Sequence, residues 1–315
     1  MLKDYLLLVD KPSFMTSQDC LTIIKKRLKL DKIGHTGTLD PLATGLMVVL
    51  VNEATKLSDF ILKSDKTYIA KMQLFLKTDT GDITGKIIEN KPHIKFKETE
   101  IIDALEFYNN RVYEQIVPAY AAVKVDGKRL YEYARKNIAV ELPKRKIHIK
   151  SLKLISINND IVTFEVVCTK GTYVRTLIND IARILHTSAT LTYLRRTQQS
   201  GFELANAISL DNISLETVAK NCISIYDGIK EIMPIIFAHN TKDILDGKPL
   251  SVQGTTKDPF ILVVSPLNQP LAIYRYQNNN IYVSQRGFHC DERNKNSDIK
   301  TTKLEDQTSE LSKSS

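Results

Sequence analysis

Residues 34–45, with the sequence GHTGTLDPLATG, contain the residue types of a catalytic loop. Glycines on both sides of the His35-Thr36 pair permit backbone conformations that other residues rarely adopt. Pro41 restricts the backbone of Asp40 and favours an extended conformation there. A carboxylate on a stiffened loop is suited to act as a nucleophile or as a general base. By itself, the pattern is more typical of an Asx turn before proline.

The elements around this loop are short and well patterned. An apolar run predicts a strand at residues 6–9, and helical spacing predicts a helix that Thr16 or Ser17 caps. A wholly apolar run at residues 46–51 predicts a buried strand directly after the loop. Residues 66–77 alternate between apolar and polar, which is the best strand pattern in the chain. The candidate loop therefore lies between a helix and a buried strand.

Further along the chain, the pattern predicts a polar loop at residues 78–85 and an antiparallel strand pair at 146–157 and 161–168. A strand is predicted around residues 193–196. Helices are predicted at 54–62, 99–108, 127–136 and 173–185. After about residue 232, prolines separate short apolar runs, as is typical of a small, mostly β domain.

Length, charge and cysteine content narrow the class of protein. A chain of 315 residues predicts roughly two domains. The longest apolar run has six residues, against about 20 for a membrane-spanning helix, and the N-terminus lacks the pattern of a signal peptide. Four cysteines without a C-x-x-C pair argue against a zinc cluster or disulfide framework and favour a reducing cytosol. The net charge of +8 favours a polyanionic partner, often nucleic acid.

The positive charge is unevenly distributed. Residues 291–315 hold five basic and six acidic residues and few large apolar ones, so we predict a disordered tail. The excess positive charge therefore belongs to residues 1–290, where two basic runs occur at 25–32 and 144–153. In isolation, either run is more typical of a solvated surface than of a binding site.

GHTGTLDPLATG resembles the signature loop of the TruB family, the bacterial tRNA pseudouridine synthases that modify uridine 55 in the T-loop. The resemblance extends over about residues 5–200, with the motifs in family order. It includes VDKPSFMTS at 9–17, SDKTYIA at 64–70, KRLYEYAR at 128–135, KGTYVRTL at 170–177 and TYLRRT at 192–197. The C-terminal β region resembles the family's small PUA-like domain.

The resemblance implies an α+β protein with the pseudouridine synthase fold, in which a mixed, mainly antiparallel sheet with flanking helices precedes a small PUA-like β domain. We expect the catalytic domain at residues 1–231, the PUA-like domain at 232–290 and the disordered tail at 291–315. The implied reaction isomerises uridine 55 to pseudouridine after base flipping. No atoms are gained or lost, so we expect no cofactor and no metal. We expect a cytoplasmic monomer that binds the tRNA T-arm and needs neither a membrane nor a protein partner.

The resemblance also assigns roles to single residues. Asp40 is implied as the catalytic aspartate, Tyr68 as a catalytic residue that stacks on the flipped base, and Arg175 as a bidentate partner that keeps Asp40 ionised in a closed pocket. On sequence alone, core or surface positions explain most of these residues equally well. Substrate-binding roles are implied for His35 (the space left by the flipped base), Tyr173 and Leu194 (the uracil pocket) and Lys11 (an RNA phosphate).

Residues 116–145 resemble the family's thumb, a mobile insertion that closes over RNA. Their basic and aromatic residues suit contacts with phosphates and unpaired bases. The stretch departs from the family's pattern, because Ile116-Val117-Pro118-Ala119-Tyr120 and Ala121 stand where a Pro-Pro pair and a Tyr-Ser pair are expected.

Two other functions remain open at this point. They are a guide-RNA-dependent pseudouridine synthase, whose family lacks a thumb, and a non-catalytic RNA chaperone. The sequence also leaves open whether Asp40 attacks the sugar, attacks the base or abstracts a proton to form a glycal.

Overall fold

The computed structural model describes residues 3–62, 64–253 and 258–289. They form two compact units. The larger unit contains Leu7–Leu50 and Leu57–Cys222, and the smaller contains the described parts of Met1–Leu6, Val51–Lys56 and Ile223–Ser315. The tail predicted at residues 291–315 lies outside the described residues. No helix in the described ranges is long and apolar enough to cross a membrane.

The strands are given in chain order. They are β1 (Tyr5–Lys11), β2 (Ile33–His35), β3 (Thr44–Val51), β4 (Lys66–Leu74), β5 (Leu76–Thr78), β6 (Ile87–Asn90), β7 (Arg111–Ile116), β8 (Lys124–Val125), β9 (Lys128–Arg129), β10 (Lys144–Asn158), β11 (Ile161–Cys168), β12 (Ala189–Gln199), β13 (Phe202–Glu203), β14 (Ile208–Ser209), β15 (Ile223–Ser224), β16 (Ile235–Phe237), β17 (Leu250–Ser251), β18 (Phe260–Val264), β19 (Pro270–Asn278) and β20 (Ile281–Gly287).

The helices are α1 (Ser17–Leu28), α2 (Ser58–Leu62), α3 (Glu98–Glu106), α4 (Leu130–Arg135), α5 (Val174–Ile184), α6 (Leu215–Asn221), α7 (Ile225–Ile229) and α8 (Thr241–Leu245). Short 3₁₀ helices occur at Asn52–Leu57, Leu204–Asn206 and Leu210–Asn212. The predicted helix at 54–62 is thus a 3₁₀ turn followed by α2.

The main sheet has the strand order β14-β1-β3-β12-β4-β11-β10-β7. The β1·β14 and β3·β12 pairs are parallel. The β12·β4, β4·β11, β11·β10 and β10·β7 pairs are antiparallel. Helices α3 and α5 pack against this sheet. The predicted α+β class, with a mixed and mainly antiparallel sheet, is therefore confirmed.

Helix α5 shows how the core is formed. Val174, Ile178 and Ile181 recur at helical spacing and are buried, because this face of the helix packs on the sheet. The N-terminal residue of the predicted helix, Tyr173, is its N-cap. Helix α1 is likewise as predicted, with Thr16 as its N-cap.

The alternating strand predicted at residues 66–77 is correct only as far as Leu74. Phe75 adopts a left-handed conformation with φ 68° and ends β4. Its N–H donates to the carbonyl of Ser188 at 2.7 Å, and its ring is buried in the core. Because this burial turns the chain, residues 76–78 form a separate hairpin strand with β6. Tertiary packing thus overrides the local strand pattern.

The helix predicted at residues 127–136 begins only at Leu130. Before it, β8 and β9 form a small hairpin around Asp126 and Gly127, whose φ angles are 49° and 81°. Two positive φ angles at an Asp-Gly pair are typical of a type I′ turn. The Asp-Gly pair was therefore the missed sequence signal.

The smaller unit contains a separate five-stranded sheet of described residues with the order β16-β18-β19-β20-β17. Ile261, Val263 and Tyr274 are among the buried residues of its core. In the same unit, β15 pairs with Tyr5 and Leu6. The smaller β region predicted after residue 232 is therefore confirmed as a sheet, and its role as a PUA-like domain stays a prediction.

Candidate active site

The loop that carries Asp40 is fixed at both ends. Before it, β2 pairs with β3, and the N–H of Thr36 donates to the carbonyl of Val48 at 3.1 Å. The first two residues of the predicted loop, Gly34 and His35, therefore belong to a strand. Within the loop, the N–H of Leu39 donates to Oγ of Ser17 at 2.9 Å, which ties the loop to α1.

Gly45 joins the loop to the sheet. It has φ 99° and lies opposite Arg196 in the parallel β3·β12 pair. A Cβ atom at this position would lie 2.3 Å from the Arg196 carbonyl oxygen, so no larger residue fits without moving backbone. This close approach holds the Asp40 loop against β12.

A cavity of about 90 Å³ opens beside the Asp40 carboxylate. It is lined by Thr38, Leu39, Asp40, Tyr68, Thr172, Tyr173, Val174, Arg175 and Leu194. Five of the seven predicted site residues thus line one cavity, while His35 and Lys11 do not. A larger cavity of about 450 Å³ also includes Asp40, Tyr68 and Tyr173 in its lining.

The sheet positions Tyr68 and Leu194. In the antiparallel β4·β12 pair, Tyr68 lies opposite Arg196, and Ala70 lies opposite Leu194. Both pocket side chains are nearly buried. Burial raises the pKa of the Tyr68 phenol, although the nearby Arg196 guanidinium opposes the rise. Tyr68 therefore presents a neutral hydroxyl and an aromatic ring to the cavity.

Arg175 contacts Asp40 through one nitrogen. Its Nε lies 2.9 Å from Oδ2 of Asp40, while Nη1 donates to the Thr80 carbonyl at 2.8 Å and Nη2 to the Tyr120 carbonyl at 3.0 Å. The predicted bidentate contact is therefore wrong, because backbone carbonyls from two other loops take the terminal nitrogens. The predicted closed pocket is also wrong here, since 37% of the Asp40 side chain is exposed.

Tyr173 is held by a side chain that the sequence reasoning missed. The N–H of Tyr173 donates to Oε1 of Gln115 at 2.8 Å, and Nε2 of Gln115 donates to the Tyr173 carbonyl at 3.2 Å. Gln115 is buried in β7. Tyr173 also packs against a small apolar cluster built from Val117, Ala121 and Leu130. The segment that resembles a thumb thus supports Tyr173, and its residues 121–123 line the larger cavity.

Lys11 is not available to an RNA phosphate. Its side chain is fully buried, and its Nζ donates to the carbonyls of Pro12, Met15 and Pro41 at 2.7, 2.6 and 3.4 Å. Burial lowers the pKa of its ammonium group. The predicted phosphate contact is thus wrong, and so is the alternative of a surface lysine. Lys11 instead links the end of β1 to the chain just after Asp40.

His35 lies in β2 and is half-buried. Its Nδ1 accepts a hydrogen bond from the N–H of Gly37 at 3.1 Å. Burial lowers the pKa of His35, and the neighbouring Arg196 lowers it further. A neutral imidazole with Nδ1 as acceptor follows, so His35 offers Nε2–H and a ring face rather than a charge.

Two buried cations line the larger cavity and were not predicted as site residues. Arg196 donates from Nε to the Leu46 carbonyl at 2.6 Å and from Nη2 to the Gly37 carbonyl at 3.2 Å. Lys66 donates to the Ser64 carbonyl at 2.9 Å. Lys66 lies two residues before Tyr68 in β4, and Arg196 lies two residues after Leu194 in β12. Because side chains alternate along a strand, both cations lie on the same strand faces as these cavity residues. A basic residue on the apolar face of a predicted strand was the sequence signal that could have identified both as site residues.

The electrostatics of the two cavities are strongly asymmetric. Among the described residues that line them, Asp40 is the one carboxylate. The cations are Lys66, Arg145, Lys170, Arg175 and Arg196. This arrangement places a single anionic group in a positive environment that attracts a polyanion.

Comparison with known proteins gives concordant results. The family described as TruB family pseudouridylate synthase (N terminal domain) matches residues 25–174. The tRNA pseudouridine synthase B of Mesoplasma florum is 37% identical over 286 residues, covering 90% of this chain and 98% of the relative. The tRNA pseudouridine synthase B of Mycoplasma mycoides is 38% identical over 290 residues, covering 91% of this chain and 98% of the relative. That of Caldicellulosiruptor saccharolyticus is 44% identical over 248 residues, with 78% and 83% covered.

Among solved structures, a chain of a Cbf5-Nop10-Gar1 complex is similar with a TM-score of 0.70 and 21% identity, covering 92% of this chain and 86% of that chain. A chain of an H/ACA RNP bound to a substrate RNA containing 2'-deoxyuridine is similar with a TM-score of 0.67 and 21% identity, covering 91% and 85%. At this identity, the likeness concerns the fold.

Proposed function

The chain belongs to the TruB family of pseudouridylate synthases and is an isomerase of that class; from this premise we propose that it converts uridine 55 in the T-loop of tRNA to pseudouridine, acting alone. The observation that carries the proposal is the single cavity in which Asp40, Tyr68, Tyr173, Arg175 and Leu194 meet. These residues come from loops and strands far apart in the chain, and they combine a carboxylate with apolar and aromatic walls.

In the proposed reaction, the target uridine leaves the base stack and enters this cavity, at a cost of a few kcal/mol. The ring of Tyr68 stacks on the uracil, and Tyr173 and Leu194 enclose it. The carboxylate of Asp40 acts on the nucleotide as a nucleophile or base while the N1–C1′ bond breaks. The base then rotates and C5 bonds to C1′, and any bond between Asp40 and the nucleotide breaks. C5 loses its proton and N1 gains one, directly or by exchange with solvent.

Arg175 and His35 have supporting roles in this proposal. Arg175 is a positioning residue, because its guanidinium contacts Asp40 and two backbone carbonyls. His35 fills the space that the flipped base leaves in the RNA. Its neutral imidazole, whose Nδ1 accepts from the Gly37 N–H, leaves Nε2–H and a ring face for that contact.

The test uses an unmodified tRNA transcript with this protein and no other RNA or protein. Pseudouridine is mapped by carbodiimide modification and primer extension. We expect one new stop, at the T-loop uridine. A stop that appears only after a guide RNA is added would favour the guide-dependent alternative. Tight binding and refolding of tRNA without any product would favour the chaperone.

Lys66 should make the affinity for tRNA depend on pH. It is nearly buried in the wall of the larger cavity, and burial, with Arg196 second, lowers its pKa to about 8. Asp65 opposes the shift, and Lys170 adds to it. Below pH 8 the ammonium is charged and available to an RNA phosphate, whereas above pH 8 the charge is lost. We expect tRNA affinity to fall above pH 8, by at most about tenfold per pH unit for one proton.

The measurement is the tRNA dissociation constant of the wild-type protein and of Lys66→Met between pH 7 and 9. Titration of the RNA itself contributes equally to both proteins, so their difference isolates Lys66. Lys66→Met should bind more weakly at pH 7 and lose the additional dependence on pH. Parallel profiles for the two proteins would show that Lys66 does not contact the RNA. Thermal melts at each pH verify that both proteins are folded.

A further inference from the structure

Phe14 is the most exposed large apolar side chain among the described residues, with 80% of its surface accessible. It is also in the left-handed conformation, with φ 58°. Such a backbone conformation is strained for a bulky residue. Apolar exposure and backbone strain at one residue both work against folding. The stability of the protein therefore does not account for an exposed aromatic ring at this position.

The loop that presents this ring is tightly held. The buried Lys11 donates to the carbonyls of Pro12 and Met15, which lie on both sides of Phe14. Oγ of Ser13 donates to the Leu42 carbonyl at 2.8 Å. These contacts fix the backbone of Phe14 and explain how the left-handed conformation persists.

The same contacts tie Phe14 to the candidate active site. Ser13 bonds to Leu42, and Lys11 reaches the Pro41 carbonyl, so both anchor points lie within two residues of Asp40. The backbone that carries the ring is consequently held to the chain next to Asp40. The exposed ring therefore belongs to a loop that is bonded directly to the catalytic loop.

We propose that Phe14 is a stacking platform for an unpaired base of the RNA, next to the nucleotide that enters the Asp40 cavity. This inference rests on the proposed function, because it requires RNA at that loop. An aromatic ring offers every base a stacking surface and loses little conformational entropy when it does so. Stacking of this kind strengthens binding of each stacked base, and a rigid loop preserves that gain.

The test compares Phe14→Gly and Phe14→Tyr in their affinity for a T-arm hairpin. Glycine removes the ring and relieves the strained backbone, so the melting temperature should stay the same or rise while affinity falls about tenfold. Tyrosine keeps the ring and should keep the affinity. Leu267→Ala, which shortens a side chain that is 77% exposed in the smaller unit, serves as the control and should bind normally. The rate at saturating RNA should be unchanged in Leu267→Ala.

A second measurement locates the contact. 2-Aminopurine is placed at successive loop positions of the hairpin, and its fluorescence is quenched where it stacks. Phe14→Gly should lose the quenching at one position. Wild-type affinity and unchanged quenching in Phe14→Gly would overturn the inference, as would a change only in self-association measured by light scattering. Hairpin binding without any pseudouridine in the wild-type protein would instead overturn the proposed function, so the two failures are distinguishable.

Discussion

Asp40→Asn should abolish pseudouridine formation while the protein still binds tRNA. Asparagine has nearly the same shape, but it is neutral, so it neither attacks carbon nor accepts a proton. All three candidate routes, namely attack on the sugar, attack on the base and proton abstraction, need the carboxylate. We expect kcat to fall by about 10⁴-fold, the upper end of what an acid–base group contributes. Affinity should be preserved, because phosphate contacts supply most of the binding energy.

Asp10 offers a matched control. Its Oδ2 lies 2.6 Å from Nη2 of Arg195, and 30% of its side chain is exposed, against 37% for Asp40. Both are therefore half-exposed aspartates paired with an arginine, but Asp10 lines neither cavity. Asp10→Asn should retain kcat close to that of the wild-type protein.

The assay is single-turnover conversion of a tRNA transcript at saturating enzyme, with binding measured separately. Residual activity of Asp40→Asn near the wild-type level would remove Asp40 from the chemistry. Equal losses in Asp10→Asn and Asp40→Asn would attribute the effect to the loss of an aspartate–arginine ion pair rather than to the reaction.

The sequence was sufficient to predict those elements whose structure depends on one local pattern of apolar residues. Helix α1, strand β3, the β10·β11 pair and helix α5 occur where apolar spacing and caps predict them. The helices and the β10·β11 pair bury one face in the core, and β3 is buried on both faces, so the apolar pattern and tertiary packing favour the same conformation in each case. The Asp40 loop differs, because its glycines and proline alone favour an Asx turn, and only the resemblance to the TruB family implies its catalytic role.

The sequence was not sufficient to predict contacts between groups that lie far apart in the chain. Lysine is rarely buried, and only the meeting of three backbone carbonyls makes the burial of Lys11 possible. The predicted bidentate contact of Arg175 with Asp40 was wrong for a similar reason, because the carbonyls of residues 80 and 120 accept hydrogen bonds from two of its nitrogens. Such contacts depend on how loops far apart in the chain converge, and no spacing in the sequence encodes them.

Arg175→Ala is the second variant with a large expected effect. Without the guanidinium, Asp40 loses its charged partner and the group that orients it. Removing one preorganised electrostatic partner from an active site lowers kcat by about 10²–10³-fold, and we expect a loss of that size. tRNA affinity should change much less, since Arg175 is buried and contacts Asp40 and backbone rather than phosphate.

Arg175→Lys should restore only part of the rate. Lysine keeps the charge, but its single nitrogen does not reach Asp40 and both the Thr80 and Tyr120 carbonyls at once. Alanine removes the donors of both half-buried carbonyls, and lysine replaces them only in part, so either variant lowers stability. Rates are therefore measured at a temperature where thermal melts show both variants to be folded.

The double variant separates positioning from chemistry. If Arg175 acts through Asp40, Asp40→Asn combined with Arg175→Ala should be no slower than Asp40→Asn alone, because the group being positioned is already absent. If the two losses multiply instead, Arg175 acts on the substrate directly. A fall in tRNA affinity as large as the fall in kcat would show that its main partner is the RNA. The 2.9 Å contact with Asp40 and the two carbonyls that fix the rest of the guanidinium favour the first outcome.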